Sequence, residues 1–145
     1  MKKLVVLLFI LIGAILAVKG QKTVPENIKK DFQLKYPEAK AVKWDNEGGK
    51  EWEAEFQMNG KDMSTSYDLS GKWLESETAI AFEKLPSAAR NIINNEYIGY
   101  KTVEILILEN PQMKGYEVAL KKGESRITII FKNDGTVLRR ETSGK

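Results

Sequence analysis

Residues 24–44 read VPENIKKDFQLKYPEAKAVKW, and residues 85–105 read LPSAARNIINNEYIGYKTVEI. The two segments match position by position at a constant spacing, and the matched pairs are similar in chemistry: Val24/Leu85, Pro25/Pro86, Ile28/Ala89, Phe32/Ile93, Tyr36/Tyr97, Lys40/Lys101 and Val42/Val103. After a longer second loop the correspondence continues, with Trp52, Phe56, Tyr67, Gly71 and Leu74 matching Tyr116, Leu120, Phe131, Gly135 and Leu138. The chain is therefore predicted to contain two copies of one supersecondary unit.

Each copy opens with a helical pattern. In the first copy the apolar residues recur at every fourth position and form one stripe along a helix: Val24, Ile28, Phe32 and Tyr36. Pro25 suits the first helical turn, and Pro37 ends the helix because it disfavours the α conformation at the residue before it. In the second copy Pro86 opens the helix and Gly99 closes it, which supports the same boundaries.

The periodicity changes to two after each helix. Residues 50–58 alternate, so Trp52, Ala54, Phe56 and Met58 share one strand face and Glu51, Glu53 and Glu55 share the other. Asn59-Gly60 is a strong hairpin signal. The remaining strands are predicted near residues 41–45, 61–68 and 72–80, and again at 102–108, 116–121, 125–132 and 136–142.

These patterns predict an α+β fold of two tandem α-β4 repeats, residues 21–82 and 83–145. A single helix cannot cover a four-stranded sheet, so we expect the repeats to join into one antiparallel sheet with both helices on one face. The opposite face, which we call the open face, is then left to solvent.

The first 20 residues have the pattern of a secretory signal peptide. Lys2 and Lys3 precede an apolar run at residues 4–12, and small residues lead to Gly20. A membrane anchor is the alternative, but the apolar stretch is shorter than the roughly 20 residues of a spanning helix. We expect cleavage after Gly20. Because the chain has no cysteine to carry a lipid, the product is expected to be periplasmic or secreted and not held at the membrane.

The signal segment also accounts for the net positive charge. Of the 23 Lys and Arg residues, Lys2, Lys3 and Lys19 lie in residues 1–20, whereas all 20 Asp and Glu residues follow it. The cleaved chain would carry no net charge, so the basic isoelectric point does not argue for nucleic-acid binding.

The absence of His and Cys restricts the possible chemistry. It excludes Ser-His-Asp and Cys-His nucleophiles, ordinary structural zinc and thiol redox reactions. Carboxylates are the remaining catalytic material, and Glu51, Glu53 and Glu55 would stand about 7 Å apart along one strand face. Such a row is also the normal wet side of a half-buried strand. We expect no catalysis, no cofactor and no bound metal.

Rigid aromatic side chains on the open face would be candidate anchors for a partner. Trp73 and its neighbour Leu74 should point to opposite faces, and the matching Leu138 favours Leu74 as the buried residue. Trp73 is therefore predicted on the open face. Ile130 alternates with Ile129 and Phe131 and is predicted there too. The candidate partner-binding residues are Trp44, Trp73, Glu51, Glu53, Glu55 and Ile130.

The pattern resembles the PepSY-like, β-lactamase-inhibitor-like (BLIP-like) family of small secreted bacterial proteins. The resemblance is carried by Pro25, Phe32, Tyr36-Pro37, Ala39-Lys40, Val42, Trp44, Glu53-Ala54-Glu55-Phe56, Gly71-Lys72-Trp73-Leu74-Glu75 and Leu85-Pro86. It implies two tandem helix-plus-four-strand units, a periplasmic address and a role in restraining an envelope peptidase or other hydrolase. It supplies no catalytic residues.

Two functions follow as expectations. The first is a periplasmic binding module that docks or inhibits a protein or peptide partner of the cell envelope through the open face. The alternative is a periplasmic small-ligand or metal-ion sensor whose pocket lies between the two units.

Overall fold

The computed structural model describes residues 23–143. The predicted signal peptide, residues 1–20, lies outside the described residues. The elements are, in order, α1 (Glu26–Lys35), β1 (Lys40–Glu47), β2 (Glu51–Met58), β3 (Lys61–Asp68), β4 (Trp73–Ala79), a short 3-10 helix (Phe82–Lys84), α2 (Ser87–Glu96), β5 (Lys101–Asn110), β6 (Met113–Lys122), β7 (Ser125–Lys132) and β8 (Val137–Ser143). We call α1 to β4 the first unit and α2 to β8 the second unit.

Within residues 23–143 the strands form one eight-stranded antiparallel sheet in chain order. The units join where β4 pairs with β5, and this pairing runs only from Ser76↔Glu109 to Ala79↔Leu106. Thr78 pairs with Ile107 at the junction, so the helix-covered face continues from one unit to the next. The predicted α+β fold, with two α-β4 units sharing one sheet and both helices on one face, is confirmed.

Each helix packs on the sheet of its own unit. Ile28 and Phe32 of α1 bury against the first sheet half, and Ala89 and Ile93 of α2 bury at the matching places of the second. Phe32 is 5% exposed and Ile93 is 6% exposed. Apolar burial thus stabilises two similar cores, one under each helix.

The turn between the last two strands of each unit packs against the start of the helix. Gly71 and Gly135 occupy this turn with φ of +92° and +84°. A Cβ added at Gly135 would lie 2.8 Å from Pro86 Cβ and 3.0 Å from the Ala89 nitrogen. Glycine is therefore required at Gly135 both by its left-handed backbone and by the close approach of α2.

Gly135→Ala is expected to destabilise the protein more than Gly123→Ala does. Gly123 also has positive φ, +58°, but nothing lies within 4 Å of its added Cβ. Both substitutions incur about 1–2 kcal/mol of left-handed strain, and the contact with α2 should add about 1 kcal/mol or more at Gly135. Urea unfolding of the two variants measures the difference. Equal losses would show that α2 does not press on this turn.

A β-bulge recurs at the same place in both units. Between β3 and β4 the register passes from Ser66↔Glu75 to Tyr67↔Trp73, so Leu74 is the extra residue. Between β7 and β8 it passes from Ile130↔Arg139 to Phe131↔Val137, so Leu138 is the extra residue. An extra residue reverses the alternation of faces along a strand. Trp73 consequently shares the face of Tyr67, beneath α1, and not the open face.

Candidate partner-binding face

The open face is concave. The hollow, which we call the concavity, has a volume of about 740 Å³ and is lined by residues of both units. Its lining includes Leu74, Glu77, Leu108, Glu117, Ile130 and Leu138. A hollow of this size, open to solvent and lined partly by apolar side chains, falls within the range of ligand-binding sites.

Four of the six predicted site residues lie on the open face. Glu51, Glu53 and Glu55 alternate along β2 with the buried Trp52, Ala54 and Phe56. Glu51 borders the concavity, and Glu53 lines a small adjoining recess. Ile130 also borders the concavity, although it is only 3% exposed.

The open-face prediction for Trp44 and Trp73 is wrong. Trp44 pairs with Ala54, which lies beneath α1, and its ring is 5.2 Å from the ring of Phe32. The Trp73 ring lies under Lys35, whose Nζ is 3.5 Å from the ring centroid. The indole Nε1 of Trp73 donates a hydrogen bond to Ser76 Oγ at 2.9 Å. Trp73 borders the concavity only where β4 begins. Strand pairing for Trp44 and the β-bulge for Trp73 place both rings against the first core.

The open face is richest in carboxylates in the first unit, whereas the second unit presents apolar side chains together with charged ones such as Glu117 and Arg139. The first unit contributes carboxylates from β1, β2 and β4: Asp45, Glu47, Glu51, Glu53, Glu55, Glu75 and Glu77. The second unit contributes apolar side chains that border the concavity: Leu108, Met113, Ile130 and Leu138. A partner that covers both units would meet carboxylates and apolar side chains together.

Sequence reasoning missed the most buried carboxyl groups. Glu77 is 5% exposed and Glu117 is 3% exposed, and both border the concavity. Glu77 alternates with the helix-facing Ser76 and Thr78, and Glu117 alternates with Val118. The period of two in these strands could have placed Glu77 and Glu117 on the open face. The burial of these two side chains could not be read from the sequence, because it depends on the neighbouring strands.

Glu77 lies at the junction of the units with one weak hydrogen bond. Ser64 Oγ donates to its Oε2 at 3.4 Å. Burial, followed by repulsion from Glu117, raises the pKa of Glu77 to about 9. Further repulsion comes from Glu75, Glu53 and Glu104. The carboxyl group is therefore protonated at neutral pH while the concavity is empty.

Glu117 has no hydrogen-bond or ion-pair partner within residues 23–143. Burial, followed by repulsion from Glu104, raises its pKa to about 7, and Arg126 acts in the opposite direction. Arg126 itself has buried Nε and Nη2 atoms without hydrogen-bond partners. The pKa of Glu53 is likewise raised to about 7 by burial and by Glu47. Buried carboxyl groups of this kind can donate or accept hydrogen bonds when a ligand arrives.

No group of three or more acidic side chains in the described part of the chain is arranged to hold a metal ion. Among residues 23–143 there is also no helix long and apolar enough to cross a membrane.

The sequence model of the family described as "Putative beta-lactamase-inhibitor-like, PepSY-like" matches the chain over residues 16–72 and again over residues 50–139. The chain belongs to this PepSY-like family. The two matches overlap at residues 50–72 and together span both units of the sheet, so the resemblance read from the sequence is confirmed.

The PepSY-like chain is similar in structure to several Bacteroides proteins. A BLIP-like protein from Bacteroides fragilis NCTC 9343 has a TM-score of 0.76 at 23% identity, over 87% of this chain and 91% of that one. A DUF2874 family protein from Bacteroides uniformis ATCC 8492 has a TM-score of 0.75 at 22% identity, over 83% and 90%.

A protein described as "putative periplasmic" from Bacteroides eggerthii DSM 20697 has a TM-score of 0.75 at 20% identity, over 83% and 89% of the two chains. At these identities the likeness shows a shared fold. No curated protein sequence matches this PepSY-like chain.

Proposed function

We propose that this PepSY-like protein is a periplasmic binding module that docks a protein or peptide of the cell envelope on its open face. The observation that carries the proposal is the concavity, where apolar side chains border a hollow on the face that no helix covers. Concave sites lined by apolar side chains with a few polar groups are where ligands and partner segments usually bind. Leu138 is 50% exposed there, so it is available for contact.

Docking on the open face would inhibit an enzyme by occlusion. A protruding partner segment would enter the concavity, with apolar contacts at the second unit and the carboxylates of the first unit setting its orientation. The family description, which refers to a β-lactamase inhibitor, supports a protein partner. The pattern of residues 1–20 and the description of the Bacteroides eggerthii relative support a periplasmic location.

A carboxylate-dependent hydrolase is a second candidate, because Glu77 and Glu117 border one concavity and both have raised pKa values. General acid–base catalysis uses such groups. Docking is the better-supported function because it also accounts for the apolar side chains that border the concavity. Turnover of a glycoside or peptide library that disappears in Glu77→Gln would favour the hydrolase.

The docking function is tested with Leu138→Arg, which places a long charged side chain at the concavity. Leu34→Arg is the matched control, because Leu34 is 75% exposed on α1. A partner recovered from periplasm with the wild-type protein should bind Leu34→Arg equally and Leu138→Arg at least about tenfold more weakly by calorimetry.

A partner bound equally by both variants would contradict docking on this face. Calorimetry with calcium distinguishes docking from the metal-ion sensor. The docking function predicts no heat of binding with calcium, whereas the sensor predicts a measurable heat.

A further inference from the structure

Glu77 of β4 and Glu117 of β6 both border the concavity, two strands apart on the open face. Glu77 pairs with Leu108 of β5, and Leu108 pairs with Gly115 of β6. Glu117 follows two residues after Gly115 and therefore lies on the same face. Leu108 and Leu106 of β5, which pair with Glu77 and Glu117, lie between the two strands that carry these carboxyl groups, and Gly115 packs closely against the backbone of Phe131.

We propose that Glu77 and Glu117 together receive the cationic side chain of a lysine or arginine from the docked partner. The proposal rests on the docking function above and specifies the chemistry of the partner. The first argument is the absence of partners: Glu117 is 3% exposed, and no donor within residues 23–143 reaches it. A carboxylate withdrawn from water retains its charge only when it is paired.

The surrounding charges favour a cation over an anion. Four other carboxyl groups act on Glu77 or Glu117: Glu53 of β2, Glu75 of β4, Glu104 of β5 and Glu141 of the edge strand β8. Arg126 of β7 has the opposite effect and lowers the pKa of Glu117. Arg139 borders the concavity but is paired with Glu141, with Nε 2.9 Å from Oε1. Lys72 lies at the margin.

The shape of the site favours an organic cation over a metal ion. The described residues contain no group of three acidic side chains arranged for a metal. A lysine or arginine has a long aliphatic stem, and Leu108 and Ile130 offer apolar surface beside the carboxyl groups. The stem can rest on these side chains while the charged tip reaches the floor.

Binding of such a cation is coupled to proton release. In the empty protein the pKa of Glu77 is about 9 and that of Glu117 is about 7. An adjacent positive charge stabilises the ionised form and lowers both pKa values. Binding at pH 7 should therefore release about one proton, and the affinity should rise between pH 6 and pH 8.

The test uses a phage-displayed library of disulfide-closed loops, selected on the wild-type protein. We expect selected loops to carry a lysine or arginine flanked by apolar residues. One such loop is synthesised and titrated against the wild type, Leu138→Arg and the Glu77→Gln/Glu117→Gln double variant. The double variant should bind about 30-fold more weakly or worse. Calorimetry in two buffers of different ionisation enthalpy counts the protons released.

A loop with norleucine in place of its lysine is the matched control. It needs no protein variant, so it remains informative if the double variant folds poorly. It should bind more weakly and release no protons.

Loops that lose binding to Leu138→Arg, yet carry no basic residue and bind the double variant normally, would overturn the cation site and leave docking intact. Loops that bind Leu138→Arg as well as the wild type, or a selection that yields no binder, would overturn docking and the cation site with it.

Discussion

Raising the pH from 5 to 8 is expected to lower the free energy of unfolding, and Glu77→Gln is expected to remove the largest single contribution to this loss. The pKa of Glu77 is about 9 in the folded protein and 4.5 as a model value. Between these values the folded protein holds a proton that the unfolded chain has released. Stability therefore falls by about 1.4 kcal/mol per pH unit for such a group, or about 4 kcal/mol over this range.

Glu53 and Glu117 add to the loss only up to about pH 7, where their own pKa values lie. The pKa values of Asp68 and Asp134 are lowered from 3.8 by hydrogen bonds in their turns. Their contribution is complete above the unfolded pKa and is lost only as the pH falls further. The interval between pH 5 and 8 thus reports on the buried glutamates.

Urea unfolding at pH 5, 6, 7 and 8 measures the effect. Glu77→Gln should resemble the wild type at pH 5 and exceed it at pH 8. Glu124→Gln, at an exposed carboxyl in the turn between β6 and β7, is the control and should retain the wild-type slope. The interpretation fails if Glu77→Gln retains that slope too.

Phe131→Ala is expected to lower the free energy of unfolding by about 3–5 kcal/mol. Phe131 is fully buried in the second core beneath α2, where it packs in one cluster with Ile93, Val118 and Ile129. Truncation leaves a cavity that the surrounding strands can fill only in part. Denaturant unfolding gives the magnitude. Leu34→Ala is the control, since Leu34 is 75% exposed and should change stability little.

The distribution of the loss tests the independence of the two cores. The units share the short β4–β5 pairing, and each has its own apolar cluster. Hydrogen exchange of Phe131→Ala should therefore show larger loss of protection in β6 and β7 than in β2 and β3. Equal loss in both units would mean that the sheet opens as one cooperative body.

The duplication made the fold predictable from local patterns. The period of four in Ile28, Phe32 and Tyr36 and its copy in Ala89, Ile93 and Tyr97 located both helices and their buried stripes. The alternation of β2 placed Glu51, Glu53 and Glu55 on the open face. These properties depend on residues close together in the chain, so repetition of the pattern was enough to establish them.

The assembled sheet decided the rest of the site. The bulge at Leu74 depends on how β4 pairs with β3, and it moved Trp73 to the opposite face. The same bulge recurs at Leu138. Comparing the two copies therefore could not reveal the irregularity, and it led to the wrong face for Trp73. Burial of Glu77 and Glu117 depends on strands of both units curving around one hollow. Pairing and burial are long-range properties, and no local period in this chain encodes them.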